Sequence, residues 1–333
     1  MNKNITIISL NGDDNSGGVE RVVFYLKNIL SQKYNVNIIK KNGKPGKFDK
    51  LIFPLIFSLK LLFKKNTITI SNSWQSFLYP VDFSIHHGTT AGYLLNTGTK
   101  SGKSSFISWM EKISAKRAKK VIAVSENCKQ ELIDIYNIPC DKIIVLNNFV
   151  DENLFYPENT SLNNKINILF SGRLEERKGL SSLLEFAAFI ENSDKYQLKI
   201  AVNSNQNCNL FSDFKNTIIE KNLDINGMRS FYNSGDVFYF PTKYEGFSMA
   251  TLEALSCGIP VVGTGFAIPQ EIRHYDFVSI VESNDLNYIL SMINNIYNRQ
   301  KNNKSEIHNK IKNDFGYMQY NQKLFSIINL EVK

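Results

Sequence analysis

Residues 240–262 read FPTKYEGFSMATLEALSCGIPVV, and their order of residue types decides the fold. The run 236–240 (DVFYF) is apolar and β-prone, Pro241 stops it, and Ser248 with Thr251 three residues later offers a capped helix start. Gly258 and Pro260 close that helix, and Val261 with Val262 begins the next strand, which makes a β-loop-α-β unit of a parallel sheet. Ligands of such sheets bind at the carboxyl ends of the strands. Glu245 falls in that loop, where its carboxylate can accept hydrogen bonds from hydroxyls. Gly246 lets the backbone come close, and the amides near Phe247 and Ser248 face an anion. Glu253 lies within the helix, in reach of a second pair of hydroxyls. Two glutamates eight apart carry nothing alone in a chain with 31 acids; the surrounding residues carry the weight.

A second segment points the same way. Residues 166–170 (INILF) make a short apolar strand, followed by SGRLEERKG at 171–179 and then by Leu180, Leu183, Leu184, Ala187 and Ala188 at helical spacing. Arg173 and Lys178 thus flank a strand-to-helix turn. A guanidinium and an ammonium at a helix N-terminus make a pyrophosphate site without a metal, neutralising charge on a departing nucleoside diphosphate. The alternative is a solvated turn of mixed charge.

The stretch E-G-F-S-x(4)-E-A-L-x-x-G-x-P-V-V closely resembles the Glu-x(7)-Glu signature of the family 4 retaining glycosyltransferases. S-G-R-L-x(3)-K-G resembles the loop with which that family holds the donor diphosphate. The resemblance implies an α/β GT-B fold: two Rossmann-like parallel-sheet domains facing a central cleft. It implies an acceptor-binding domain over 1–155, a nucleotide-sugar domain over 156–315, and a C-terminal helix at 316–333 crossing back to the first. Residues 142–157 (KIIVLNNFVDENLFYP) resemble the family's interdomain stretch, so the boundary is expected within 147–164. Arg173, Lys178 and Glu245 inherit catalytic roles, and Gly246, Phe247, Ser248 and Glu253 donor binding.

Other segments fit this frame. An apolar strand at 5–10 leads through NGDDNSGGVER (11–21) into a helix, and Gly17 and Gly18 let that loop approach a ligand. A plain tight turn reads equally well, but family members open with the same Gly-Gly pair followed by an acid and an arginine, here Glu20 and Arg21. G-x-G-x-x-G is absent, which counts against a nicotinamide enzyme. Strand 81–85 ends in HHGTTAGY (86–93). An imidazole there can donate to a phosphate or a sugar hydroxyl. The family carries a histidine at this strand end; His86 is the first choice and His87 the second, with a structural histidine as the alternative. One departure stands out: 201–209 (AVNSNQNCN) has no glycine where most family members have a glycine-rich turn. The backbone of Asn226, Gly227, Met228 and Arg229 is then where the base is expected to be read.

With 333 residues and 43% hydrophobic content, the chain is long enough for two domains. Residues 1–150 hold 21 Lys and Arg against 10 Asp and Glu, a net of +11, whereas 151–333 hold 18 against 21, a net of −3. This asymmetry suggests that the first half meets an anionic membrane leaflet or a polyphosphate, the alternative being a solvated lysine-rich surface. No nucleic-acid-binding motif accompanies the charge. Residues 51–63 (LIFPLIFSLKLLF) are too few to span a bilayer, which needs about 20. A helix there, with Phe57, Leu61, Leu62 and Phe63 beside Lys60, Lys64 and Lys65, fits a membrane interface or a buried core equally. The start shows no signal-peptide layout, so a cytoplasmic chain, peripheral on the inner face of the membrane, is expected. The four cysteines are widely spaced and read as reduced thiols, with no metal pattern.

The expected function is retaining transfer of a sugar from a nucleotide donor, first of all a UDP-sugar, to a hydroxyl of a glycan or lipid-linked glycan in surface polysaccharide synthesis. No D-x-D occurs, so neither a metal nor another cofactor is expected. The rivals are a non-catalytic glycan- or partner-binding subunit and a GT-B sugar-nucleotide epimerase.

Overall fold

The structure is a computed structural model and describes residues 4–10, 18–41, 46, 48–63, 67–98, 102–158 and 164–330. Gly17, Lys64 and Lys65 lie outside the described residues. The chain divides into two compact units, Met1–Asn148 with Tyr320–Lys333, and Phe149–Gln319.

The first unit runs β1 (Asn4–Ile8), α1 (Gly18–Leu30), β2 (Asn35–Ile39), α2 (Asp49–Leu62), β3 (Thr67–Asn72), β4 (Phe83–His86), α3 (Thr90–Thr97), α4 (Gly102–Arg117), β5 (Lys120–Ala123), α5 (Glu126–Asp134) and β6 (Ile143–Val145). Its strands form one sheet in the order β2-β1-β3-β4-β5-β6, with every pairing parallel. The chain leaves β1 for β2 on one side and returns as β3 on the other, which makes the carboxyl ends of β1 and β3 the switch point where such sheets take ligands.

The second unit runs β7 (Ile166–Ser171), α6 (Leu180–Ile190), β8 (Tyr196–Val202), β9 (Thr217–Lys221), α7 (Ile225–Asn233), β10 (Val237–Phe240), α8 (Met249–Ser256), β11 (Val261–Thr264), β12 (Val278–Val281), α9 (Leu286–Gln300) and α10 (Lys304–Phe315). A last helix, α11 (Tyr317–Leu330), groups with the first unit from Tyr320 onward. The sheet order is β12-β11-β10-β7-β8-β9, again all parallel. β7 and β10 are neighbours although some 70 residues apart in sequence, so the switch point falls between them. Their continuous apolar runs suit strands covered on both faces. All four residues of β10 are buried, and Phe170 of β7 meets Phe240 of β10 with ring centroids 6.2 Å apart.

α8 starts where Ser248 accepts a hydrogen bond from the Thr251 amide at 3.2 Å, and it ends at Gly258 in the left-handed region (φ 77°).

Residues 51–63 fall mainly in α2, but its orientation corrects the expected interfacial face. Phe57 and Leu61 are wholly buried with Pro54 and Ser58, whereas Leu62 and Phe63 are exposed. Among the described residues no helix is long and apolar enough to cross a membrane.

Candidate functional site

The loops after β7 and β10 carry the two motifs, and the switch point brings them together. Gly179, which precedes α6, has φ 85°, and a Cβ there would overlap the Pro241 carbonyl at the end of β10. Gly179→Ala therefore meets both a backbone penalty and a collision with main chain, and is expected to cost about 2 kcal/mol or more, read as a lower urea midpoint at unchanged slope.

Across this close approach the Lys178 ammonium pairs with Glu245 Oε1. Arg177 joins them: its Nη1 lies 3.3 Å from the same carboxylate oxygen and donates to the Tyr244 carbonyl at 3.2 Å, and its Nε donates to Glu175 Oε1 at 3.3 Å. The Lys243 amide donates to the Arg177 carbonyl at 2.9 Å, and the Glu245 amide to Phe266 O at 3.2 Å, so the loop after β10 is tied to the loops after β7 and β11. Lys178 and Glu245 side chains are each 15% exposed. Burial pushes the Lys178 ammonium below the ordinary lysine value, and the Glu245 carboxylate works in the other direction. Lys178 also stands 5.2 Å over the Phe240 ring. Arg173 is different: two-thirds exposed, it pairs with the shared carboxylate of Glu175 at 3.3 Å. Among the described residues the cluster thus joins Arg173, Arg177 and Lys178 to Glu175 and Glu245, with Arg173 the most exposed of the three cations. Arg177 was not singled out in the sequence, where it hides beside Lys178 in the motif's variable positions.

Other expected site residues are engaged in packing and internal hydrogen bonds. Glu253 is buried and its Oε2 accepts from the Tyr232 hydroxyl at 3.0 Å. Phe247 is buried, its ring 5.6 Å from Phe315. The segment 226–229 is not an open loop but the first turns of α7. Asp224 caps that helix, its carboxylate accepting from the Gly227 amide at 2.7 Å and its carbonyl from the Met228 amide at 2.8 Å. These two amides are therefore already engaged by Asp224. Arg229 turns to Glu158 (2.7 Å) and the Tyr156 ring (4.7 Å).

In the first unit the two histidines separate. His86 is fully buried, with Nε2 3.0 Å from Ser84 Oγ and Nδ1 3.4 Å from Ser73 Oγ. Ser73, just past β3, holds a left-handed backbone (φ 53°). His87 is half-buried, and among the described residues its ring makes no hydrogen bond. Two carboxylates fix the turn that follows it. Glu131 accepts from the Thr89 amide (3.1 Å) and hydroxyl (2.7 Å), and Glu111 from the Thr90 amide (2.7 Å) and hydroxyl (2.8 Å). Glu111 also takes the Tyr136 hydroxyl at 2.6 Å, and burial raises its carboxyl above the ordinary range. Asn72, at the end of β3 and so at this sheet's switch point, is buried with its Nδ2 unpartnered among the described residues. Nothing in the sequence marked it.

Burial holds His86 down to about 3 and His87 to about 4, with the His87 charge adding to the effect on His86. The unfolded chain takes up these protons below about pH 6.5, while the folded chain resists until about 4. Their contribution is complete above 6.5 and declines as pH falls. Proton uptake on unfolding is expected to rise from well under one at pH 7 to about two near pH 5, and His86→Gln/His87→Gln to flatten the dependence of the urea midpoint on pH.

Two all-parallel six-stranded sheets, the second with basic and acidic loops at its switch point, define a GT-B glycosyltransferase. The profile described as "Glycosyl transferases group 1" matches residues 165–299, and that described as "Glycosyltransferase Family 4" matches residues 16–154. The chain belongs to this group 1/family 4 glycosyltransferase family. It is 27% identical over 268 residues to the capsular polysaccharide biosynthesis glycosyltransferase CapM of Staphylococcus aureus, covering 74% of this chain and 70% of that one. Matches to two other curated relatives span only 47% and 43% of their lengths. Among solved structures, the sucrose-phosphate synthase of Thermosynechococcus elongatus superposes with a TM-score of 0.81 at 15% identity, covering 99% of both chains. HepE of Anabaena, in complex with UDP and glucose, gives a TM-score of 0.74 at 14% identity, covering 98% of this chain and 99% of that one. At these identities the likeness is one of fold.

Proposed function

We propose that the chain transfers a sugar from a nucleotide donor, a UDP-sugar, to a hydroxyl of a glycan or lipid-linked glycan in surface polysaccharide synthesis, with retention of configuration and without a metal. The observation that carries this reading is the Lys178–Glu245 pair, which couples the basic loop after β7 to the acidic loop after β10 at the sheet's switch point. Arg173 and Lys178 supply countercharge to the diphosphate, and Glu245, with Gly246 and Ser248 beside it, fixes the sugar hydroxyls. Glu253 addresses the ribose from α8. The acceptor oxygen bonds to the anomeric carbon on the face the diphosphate leaves, and its proton passes to a departing phosphate oxygen. Side chains then position groups and stabilise charge rather than form a covalent intermediate.

Of the two histidines, His87 is the one proposed to meet the substrate, because both ring nitrogens of His86 are engaged by serines. Gly18 opens α1 beside the other loop of that sheet's switch point. HepE, solved with UDP and glucose, and CapM, named for capsular polysaccharide biosynthesis, support the donor and the pathway class. Peripheral placement on the cytoplasmic face of an anionic membrane belongs to the same reading, supported by the +11 charge of residues 1–150. The test is transfer or slow hydrolysis across a panel of UDP- and GDP-sugars in excess chelator. Turnover of one UDP-sugar with the anomer retained is expected; failure of every donor, or strict magnesium dependence, overturns the reading.

A further inference from the structure

α2 is apolar almost all round, and a helix of that kind is normally enclosed by protein or lipid. Protein covers only part of it. Pro54, Phe57, Ser58 and Leu61 face inward, whereas Phe48, Ile52, Leu55, Leu59, Leu62 and Phe63 stand outward with 74, 50, 44, 59, 61 and 86% of their surface exposed. Their spacing of four, three, four, three and one aligns them on a single stripe about 100° wide along the helix. Contiguous exposed apolar surface of this kind marks an interaction site.

We propose that this outer stripe of α2 is the face by which the chain docks on an anionic lipid bilayer, the helix lying in the plane of the headgroups. Its chemistry selects lipid over protein. The stripe is Leu, Ile and Phe, with no Tyr, Trp or Arg of the sort that anchors protein interfaces, and the exposed Lys60 lies beside it. The acid on the helix, Asp49, is already paired with Lys41. A second copy is a poor occupant, because two surfaces from a half carrying a net of +11 repel each other, whereas an anionic leaflet attracts both. At 14 residues, α2 is about 20 Å long, too short for a hydrocarbon core of about 30 Å, so it lies on the membrane and does not cross it.

This inference specifies the membrane part of the proposed function and does not depend on sugar transfer. Flotation of the full chain would use vesicles of phosphatidylcholine alone or mixed equally with phosphatidylglycerol. The wild type is expected to float with the mixed vesicles, less so as salt rises, and Leu55→Glu/Leu59→Glu to lose at least about tenfold in recovery. Because both side chains face outward, that variant keeps its far-ultraviolet spectrum and urea midpoint. Leu210→Glu, an exposed leucine of the second unit, floats as the wild type does. Flotation of the stripe variant equal to wild type overturns the stripe alone. A wild type that fails to float with anionic vesicles overturns the peripheral reading with it. A dimer in sedimentation that the stripe variant dissociates assigns the face to a second copy instead.

Discussion

Glu245→Gln is expected to lower sugar transfer by about 10²–10³-fold while nucleoside diphosphate binds as tightly as before or more tightly. The two effects have opposite signs because the carboxylate has two partners in turn. Bound to the Lys178 ammonium, with Arg177 Nη1 3.3 Å away, it competes with a diphosphate for the same cation. In the proposed reading it accepts from the donor's sugar hydroxyls, and its loss leaves them unpaired in the transition state. The amide keeps the shape of the side chain and removes the competition. Glu245→Ala loses as much transfer but leaves the buried Lys178 ammonium without its carboxylate and beside Arg177, so a lower urea midpoint accompanies it. UDP titrated by calorimetry into the Gln variant, alongside initial rates, is the measurement. Near-normal rates, or affinity that falls in parallel with rate, would sink the assignment of Glu245 to the sugar.

The two motifs were legible in the sequence because each is local: a strand end, a turn and a capped helix within a few residues. Their contact was not, since nothing in residues 166–179 says that β7 will lie beside β10 and not beside β8 alone. A free diphosphate loop and a free carboxylate are what the sequence describes; a Lys178–Glu245 pair needs the strand order. His86 could have been set aside from parity. Strand residues alternate faces, so Ser84 and His86 share one, and a serine two residues before a histidine is a ready internal partner. The first residue past the strand, His87, escapes that constraint. The missing glycine-rich turn at 201–209 directs attention to the backbone of 226–229, but Asp224 three residues before Gly227 is a helix cap, and that segment is the start of α7. In α2 the apolar run was plain, but a helix greasy on every side does not say which face is inward; Phe57 and Leu61 went into the core, and the stripe through Leu55 and Leu59 stayed out.

Arg173→Ala/Lys178→Ala is expected to weaken UDP binding by roughly 3 kcal/mol or more, over a hundredfold, because charge-assisted hydrogen bonds to phosphate are each worth about 1.5–3 kcal/mol. The two cations enter differently. Arg173 is largely exposed and paired with Glu175, so it reorganises at little cost. Lys178 is buried and must trade Glu245 for phosphate, which lowers its net contribution and couples the two loops. Arg177→Ala separates positioning from charge. That side chain holds the Tyr244 carbonyl and the Glu245 carboxylate from one guanidinium, so its removal is expected to lower the catalytic rate more than UDP affinity, whereas the Arg173/Lys178 double variant lowers both. If these cations neutralise the leaving diphosphate as proposed, wild-type activity survives excess chelator, and UDP affinity falls with added salt in the wild type more steeply than in the double variant. Titration calorimetry over a salt series, with rates measured in chelator, covers all of this. Unchanged UDP affinity in the double variant would remove the loop after β7 from the diphosphate site, whatever becomes of Glu245.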